Sequence, residues 1–222
     1  IDDKTPTAAE EIWDGLDSTA AGRVGAAGST GVFNYVNTFS GVTLNAAYRK
    51  GSGTANADGA SSAVGQGAYD FAITTDGEML GVDGLSIGVG YGEAETGSGA
   101  GTTYGDAEHS TAFANYSIGP VTFGYQTSYI DSNVHGTQDQ DSQRWGLAFN
   151  VNENLSLSYG EADTAYDGAG RTSDVTEKLD GIAVAYTMGS MKIAGNMNEG
   201  DNMGGVANAK DSMTEIAVSF AF

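Results

Sequence analysis

Few side chains in this sequence could do chemistry. His109 and His135 are the two imidazoles available as bases, and a serine–histidine site needs one of them within reach of a nucleophile and oriented by a carboxylate. His109 and Ser110 are sequence neighbours, so on a strand they point to opposite faces, and no orienting carboxylate can be assigned. No enzymatic site is expected. Asp131-Ser132-Asn133-Val134-His135-Gly136 opens like a calcium loop, with oxygen ligands at alternate positions and glycine sixth. It then fails, because His135 takes a ligand position and Ser142 stands where a bidentate glutamate belongs. Gly88-Val89-Gly90-Tyr91-Gly92 imitates a phosphate-binding loop, yet it sits in a strand pattern and opens no helix. What remains is a crowd of carboxylates near the N-terminus, Glu10, Glu11, Asp14 and Asp17. At a narrow passage their like charge would bias traffic toward cations.

The elements that must position these groups are strands. The 222 residues include 34 glycines, no cysteine and two prolines, with 29 acidic against 9 basic residues for a net charge of −20. A disulfide scaffold and a thiolate metal site are excluded. So acidic a chain should repel a phosphate backbone, and nucleic acid is not an expected partner. No apolar run reaches the roughly 18 residues of a membrane-spanning helix. Ile1-Asp2-Asp3-Lys4 lacks the layout of a signal peptide, so the chain reads as mature or as a piece. Beyond residue 28 every second residue tends to be apolar or aromatic: Val42, Leu44, Ala46 and Tyr48, then Leu85, Ile87, Val89 and Tyr91, then Val121, Phe123, Tyr125, Thr127 and Tyr129. The pattern continues through Leu155, Leu157 and Tyr159 and through Ile182, Val184 and Tyr186 to Ile216, Val218, Phe220 and Phe222. With weaker stretches near 30–38, 108–118 and 189–197, it gives eleven strands in an all-β chain.

Connections alternate in length. Short ones lie at 38–41, 117–120, 151–154 and 188–190, with a longer one near 75–84; polar ones cover about 51–65, 93–107, 131–142, 161–177 and 198–211. Short turns on one side and long loops on the other are the layout of an up-and-down barrel in an outer membrane. Most acidic residues fall in the long loops or in residues 1–28, so the charge gathers at one mouth. The face opposite the apolar one is dominated by Gly, Ala, Ser and Thr, which suits a lumen better than the charged surface of a soluble sandwich. Tyr48, Tyr91, Tyr125, Tyr129, Tyr159, Tyr186, Phe220 and Phe222 then read as an interfacial aromatic girdle. Alternation puts Arg49, Arg144 and Lys192 on the non-lipid face, since a charge at mid-membrane on the lipid side costs roughly 2–4 kcal/mol.

The final stretch, Ile216-Ala217-Val218-Ser219-Phe220-Ala221-Phe222, resembles the terminal strand that outer-membrane barrels present to their assembly machinery. With the pattern of the whole chain it is similar to the general diffusion porins of Gram-negative bacteria, of the alphaproteobacterial type. That resemblance implies an outer-membrane homotrimer among lipid and lipopolysaccharide, passing small hydrophilic solutes without a cofactor, and the net acidity of the chain suggests mild cation selectivity. Ca²⁺ held loosely at the acidic loops could bridge lipopolysaccharide phosphates. A bacterial barrel has an even strand number and both termini on the periplasmic side, whereas eleven strands place residues 1–28 at the extracellular end. The porins it resembles have about sixteen strands, which implies about five missing N-terminal ones. Residues 1–28 would then be the long third loop that narrows the pore, and 29–222 the barrel strands. Thr7-Ala8-Ala9-Glu10 reads as a capping box, with Pro6 fixing the entry, so a short helix is expected through Leu16, with Ile12, Trp13 and Leu16 toward the wall. In the porins it resembles the acidic third loop faces basic wall residues; Arg49, Arg144 and Lys192 are the counterparts here. Two other readings remain open. One is an autotransporter or adhesin translocator, with Ile1 inside the lumen or periplasmic rather than at the extracellular mouth; the other is a secreted soluble β-rich adhesive protein.

Overall fold

The computed structural model describes residues 1, 3–17, 26–28, 31–51, 67–95, 106–132, 139–167 and 174–221. Eleven strands follow one another: β1 Val32–Phe39, β2 Val42–Arg49, β3 Ala68–Asp76, β4 Leu85–Ala94, β5 Ala107–Ile118, β6 Val121–Asp131, β7 Asp139–Asn150, β8 Leu155–Asp167, β9 Val175–Met188, β10 Met191–Asp201 and β11 Lys210–Phe220. Each pairs antiparallel with the next, so sheet order is chain order. The short turns have the chemistry that tight hairpins need. Ser40 and Gly41, at φ 50° and 84°, both adopt the left-handed backbone of a two-residue hairpin turn. Among the described residues β1 and β11 each pair on one side only.

The alternation assigns the faces as expected. Outward residues have no second protein layer over them: Leu157 is 41% exposed, Val184 41% and Val218 53%. A sandwich would have buried them. Along β6 the outward apolar and aromatic side chains run from Val121 to Tyr129. At roughly 3.3 Å per residue, and with a tilt of about 45°, that length is close to the apolar band of an outer membrane. The inner face is mostly small or polar, with Ala162, Ala183, Ala185, Gln126, Thr164 and Asn198 buried there together with the larger Phe113, Tyr166 and Leu179.

Two expectations need correction. Residues 8–16 form bends and a turn, not a helix, with i-to-i−3 bonds only from Asp14 N to the Glu11 carbonyl (3.0 Å) and from Leu16 N to that of Trp13 (3.1 Å). The Thr7 hydroxyl donates to the Glu10 carbonyl (2.6 Å) in place of the capping geometry. Gly15 at φ 71° breaks any helical path. The wall also runs further than the hydrophobic pattern. Strands β7 to β10 continue through Asp139, Asp141, Glu161, Asp163, Asp167, Glu177, Glu199 and Asp201, positions read as loop. Once both faces meet water the apolar alternation stops, but the backbone ladder does not. On the outer surface of this extension Glu161, Asp180 and Glu199 stand directly opposite one another in a row. One step farther out, Asp163, Lys178, Asp201 and Lys210 alternate in sign, and Lys210 Nζ lies 2.6 Å from Asp201 Oδ1.

Candidate pore constriction

Residues 1–17 lie across the inner face. A segment with no helix or strand of its own must find partners for its backbone polar groups, and the wall supplies them with side chains. Lys4 N donates to Gln126 Oε1 on β6 (2.7 Å) and the Lys4 carbonyl accepts from Asn115 Nδ2 on β5 (2.7 Å). Ala8 N donates to Ser158 Oγ on β8 (2.9 Å). Asn198 Nδ2 on β10 reaches the carbonyls of both Glu11 and Asp14 (3.0 Å each). Asp17 N donates to Asp211 Oδ2 on β11 (2.9 Å). Farther along, Ala26 N and Ala27 N donate to the two carboxylate oxygens of Asp70 on β3 (2.5 and 2.8 Å). The strap therefore crosses from β5 to β11 and is tied again at β3.

Its apolar side faces the wall, as the sequence implied. Ile12, Trp13 and Leu16 pack against Ala162, Leu179 and Met203, with Ala209 beside them. Met203 belongs to the short β10–β11 connection, which folds inward here; Gly204 N donates to the buried Glu177 Oε2 (2.6 Å).

Of the four carboxylates, Glu10 and Asp17 are exposed, while Glu11 and Asp14 are half-buried. Burial, joined by the negative fields of Asp3, Glu10 and Asp14, raises the Glu11 carboxyl above its ordinary pKa against the opposing effect of its own backbone N–H. The three basic residues all sit on the inner face but are not gathered together. Arg144 is covered by the strap: it is 2% exposed, its guanidinium lies 4.4 Å from the centre of the Trp13 ring, and Nε donates to Ser142 Oγ (3.2 Å). It anchors the strap and does not border open water. Arg49 is half-buried beside Gly28, and Lys192 is exposed next to the short turn that joins β9 and β10.

Tyr48, Tyr91, Tyr125, Tyr129, Tyr159, Tyr186 and Phe220 all lie on the outer face; Phe222 and the calcium-like stretch 133–138 fall outside the described residues. The sequence reading put Trp145 on the apolar face with Leu147 and Phe149 but missed its partners: it stacks with Phe123, meets Tyr159 edge to face and donates to Glu161 Oε2 (3.2 Å), while the Tyr159 hydroxyl donates to Oε1 (2.6 Å). Also missed were the clamps Asp70, Asn115, Gln126 and Asn198. Their signal was present: they are large polar residues on a face otherwise made mostly of small ones. Among the described residues no group of three or more His, Asp or Glu could hold a metal ion.

An up-and-down sheet with an uncovered apolar outer face, carrying an inner strap, defines an outer-membrane β-wall protein. The Gram-negative porin family model matches residues 1–189, and the chain belongs to that family. It is a protein of the outer membrane. No curated protein sequence matches. Solved structures of similar fold include the anion-selective porin from Comamonas acidovorans, with TM-score 0.66, 16% identity, 86% of this chain and 59% of that one covered. OmpT of Vibrio cholerae with loop L8 deleted gives TM-score 0.61 at 17% identity, covering 85% and 62%. The in-vitro folded OmpT gives 0.58 at 15%, covering 84% and 60%. The chain thus spans about three-fifths of the length of these barrels.

Ile1 sits against Gly90 on the inner face, a placement that by itself suits a translocator. The match to the porin family model begins at the same residue and includes the strap.

Proposed function

We propose that this chain forms most of the wall of a water-filled diffusion channel, in which residues 1–17 narrow the passage for small hydrophilic solutes and ions. The observation that carries this is the strap itself: apolar side chains into the wall, Glu10 and Asp17 into water, and the backbone tied to β5, β6, β8, β10 and β11. With Arg144 covered, the exposed charge nearest the strap is dominated by carboxylates, which favours cations. The passage is passive: no catalytic step and no cofactor is required, and Ca²⁺ associates only loosely with the acidic mouth. An open sheet edge is not tolerated in hydrocarbon, so the free edges of β1 and β11 are closed in the whole protein by further strands, about five on the sixteen-strand plan. The assembly is a homotrimer set among lipid and lipopolysaccharide. Reversal potentials of the whole protein in planar bilayers under a salt gradient test the channel. Cation preference is expected, weakened when Glu10, Glu11, Asp14 and Asp17 are all changed to their amides; anion preference overturns the selectivity, and absence of ion current overturns the channel.

A further inference from the structure

One transverse row of the sheet sets the depth at which the strap lies. In register across the strands, Asn115 of β5 stands opposite Gly124 of β6, followed by Gly146 of β7, Gly160 of β8, Gly181 of β9 and Asn198 of β10. The four adjacent glycines leave a trench one side chain deep, and residues 4–14 fill it. A methyl carbon on Gly146 would lie 2.9 Å from the Pro6 carbonyl oxygen, and one on Gly160 or Gly181 would lie 3.1 Å from Ile12 Cγ2. Both are shorter than the roughly 3.5–4.0 Å of carbon atoms in good contact. At Gly124 the clash with the Pro6 ring is closer still. The asparagines close the two ends of the trench by holding the carbonyls of Lys4, Glu11 and Asp14. Glycine weakens a strand, and the sheet accounts for only part of the row: Asn115 crowds Gly124, Asn198 crowds Gly181 and the Trp145 carbonyl lies 3.1 Å from a methyl on Gly160, whereas at Gly146 every near atom belongs to Pro6 of the strap. The strap accounts for the rest.

We propose that this glycine row fixes the bore of the channel. The strap lies flush against the wall only because no side chain rises beneath it, and Gly146 and Gly160 are positioning residues for the constriction. The inference rests on the reading of residues 1–17 as the narrowing element. A side chain placed in the trench lifts the strap and carries Glu10 and Asp17 farther into the passage, so conductance falls while cation preference rises.

Gly160→Val tests this in the whole protein in planar bilayers, because valine suits a strand and the wall should still form. Gly195→Val, on the outer face of β10, is the control. Lower single-channel conductance and stronger cation preference are expected for Gly160→Val alone, and adding Ile12→Ala, which vacates the space above, should return both toward the wild type. A second readout does not use current. In a background where Trp145 and any tryptophan outside these 222 residues are changed to phenylalanine, Trp13 reports alone, and Gly160→Val should raise its quenching by acrylamide. Should the valine variant not insert, Gly160→Ala takes its place with the same readouts. Unchanged conductance, or a conductance change without a change at Trp13, overturns the proposal and leaves the channel intact. If the wild type carries no current the channel reading fails, while Trp13 quenching still decides whether the row seats the strap.

Discussion

At Glu11 the cost of seating a charge against the wall becomes measurable. A carboxyl whose pKa is raised prefers its proton in the seated state, so the strap is weakened while Glu11 is charged and tightens as pH falls through the raised value. Glu11 should therefore take up its proton above the ordinary carboxylate range. As pH is lowered from neutral, cation preference measured by reversal potential should begin to fall above the ordinary carboxylate range. Glu11→Gln should remove that early step. Loss of the early step in the wild type, or its survival in the variant, would contradict the assignment. The side of the sheet on which Arg144 lies was legible from alternation, but its cover was not. The residue that covers it, Trp13, comes from the other end of the chain, and period-two patterning reports only which face a residue takes.

Among the elements, the strands were legible; of the strap, the apolar side was legible and the backbone path was not. Strands announce themselves because hydrocarbon on one side and small inner residues on the other impose a period of two. Beyond the membrane that contrast vanishes, which is why Glu161 and Glu199 were read as loop although they stand on β8 and β10. Thr7 and Glu10 offered a capping box, yet wall side chains took up the segment's backbone groups and Gly15 broke the turn. Asn198 is the clearest of these partners, being 2% exposed and serving two carbonyls. Asn198→Leu keeps the size and removes both bonds, leaving two acceptors to find water at about 1–3 kcal/mol each. The expected result is a loosened stretch at residues 11–14, seen as noisier open-channel current and as faster protease cleavage there, with the wall intact. Cleavage no faster than in the wild type would count against the clamp.

For the whole molecule, the two edges of the sheet carry the question of closure. β1 and β11 each present one row of backbone N–H groups without a ladder partner among the described residues. In the whole protein in detergent, amide exchange at both strands should be as slow as at β6, on the view that further strands complete the wall; fast exchange along either edge would refute it. The sequence revealed the class of wall but not its circumference, because a period of two reports which face a residue takes and not how many strands close the sheet.

The strap also implies an order of assembly. Asp17 is held by Asp211 and Lys4 by Gln126, partners 194 and 122 positions away, so the segment cannot settle until strands much farther along the chain are in place. Contacts this distant in sequence form late in folding. A newly built wall therefore passes through a wide, unguarded stage, and the arrival of β11 is the event that finally sets its aperture.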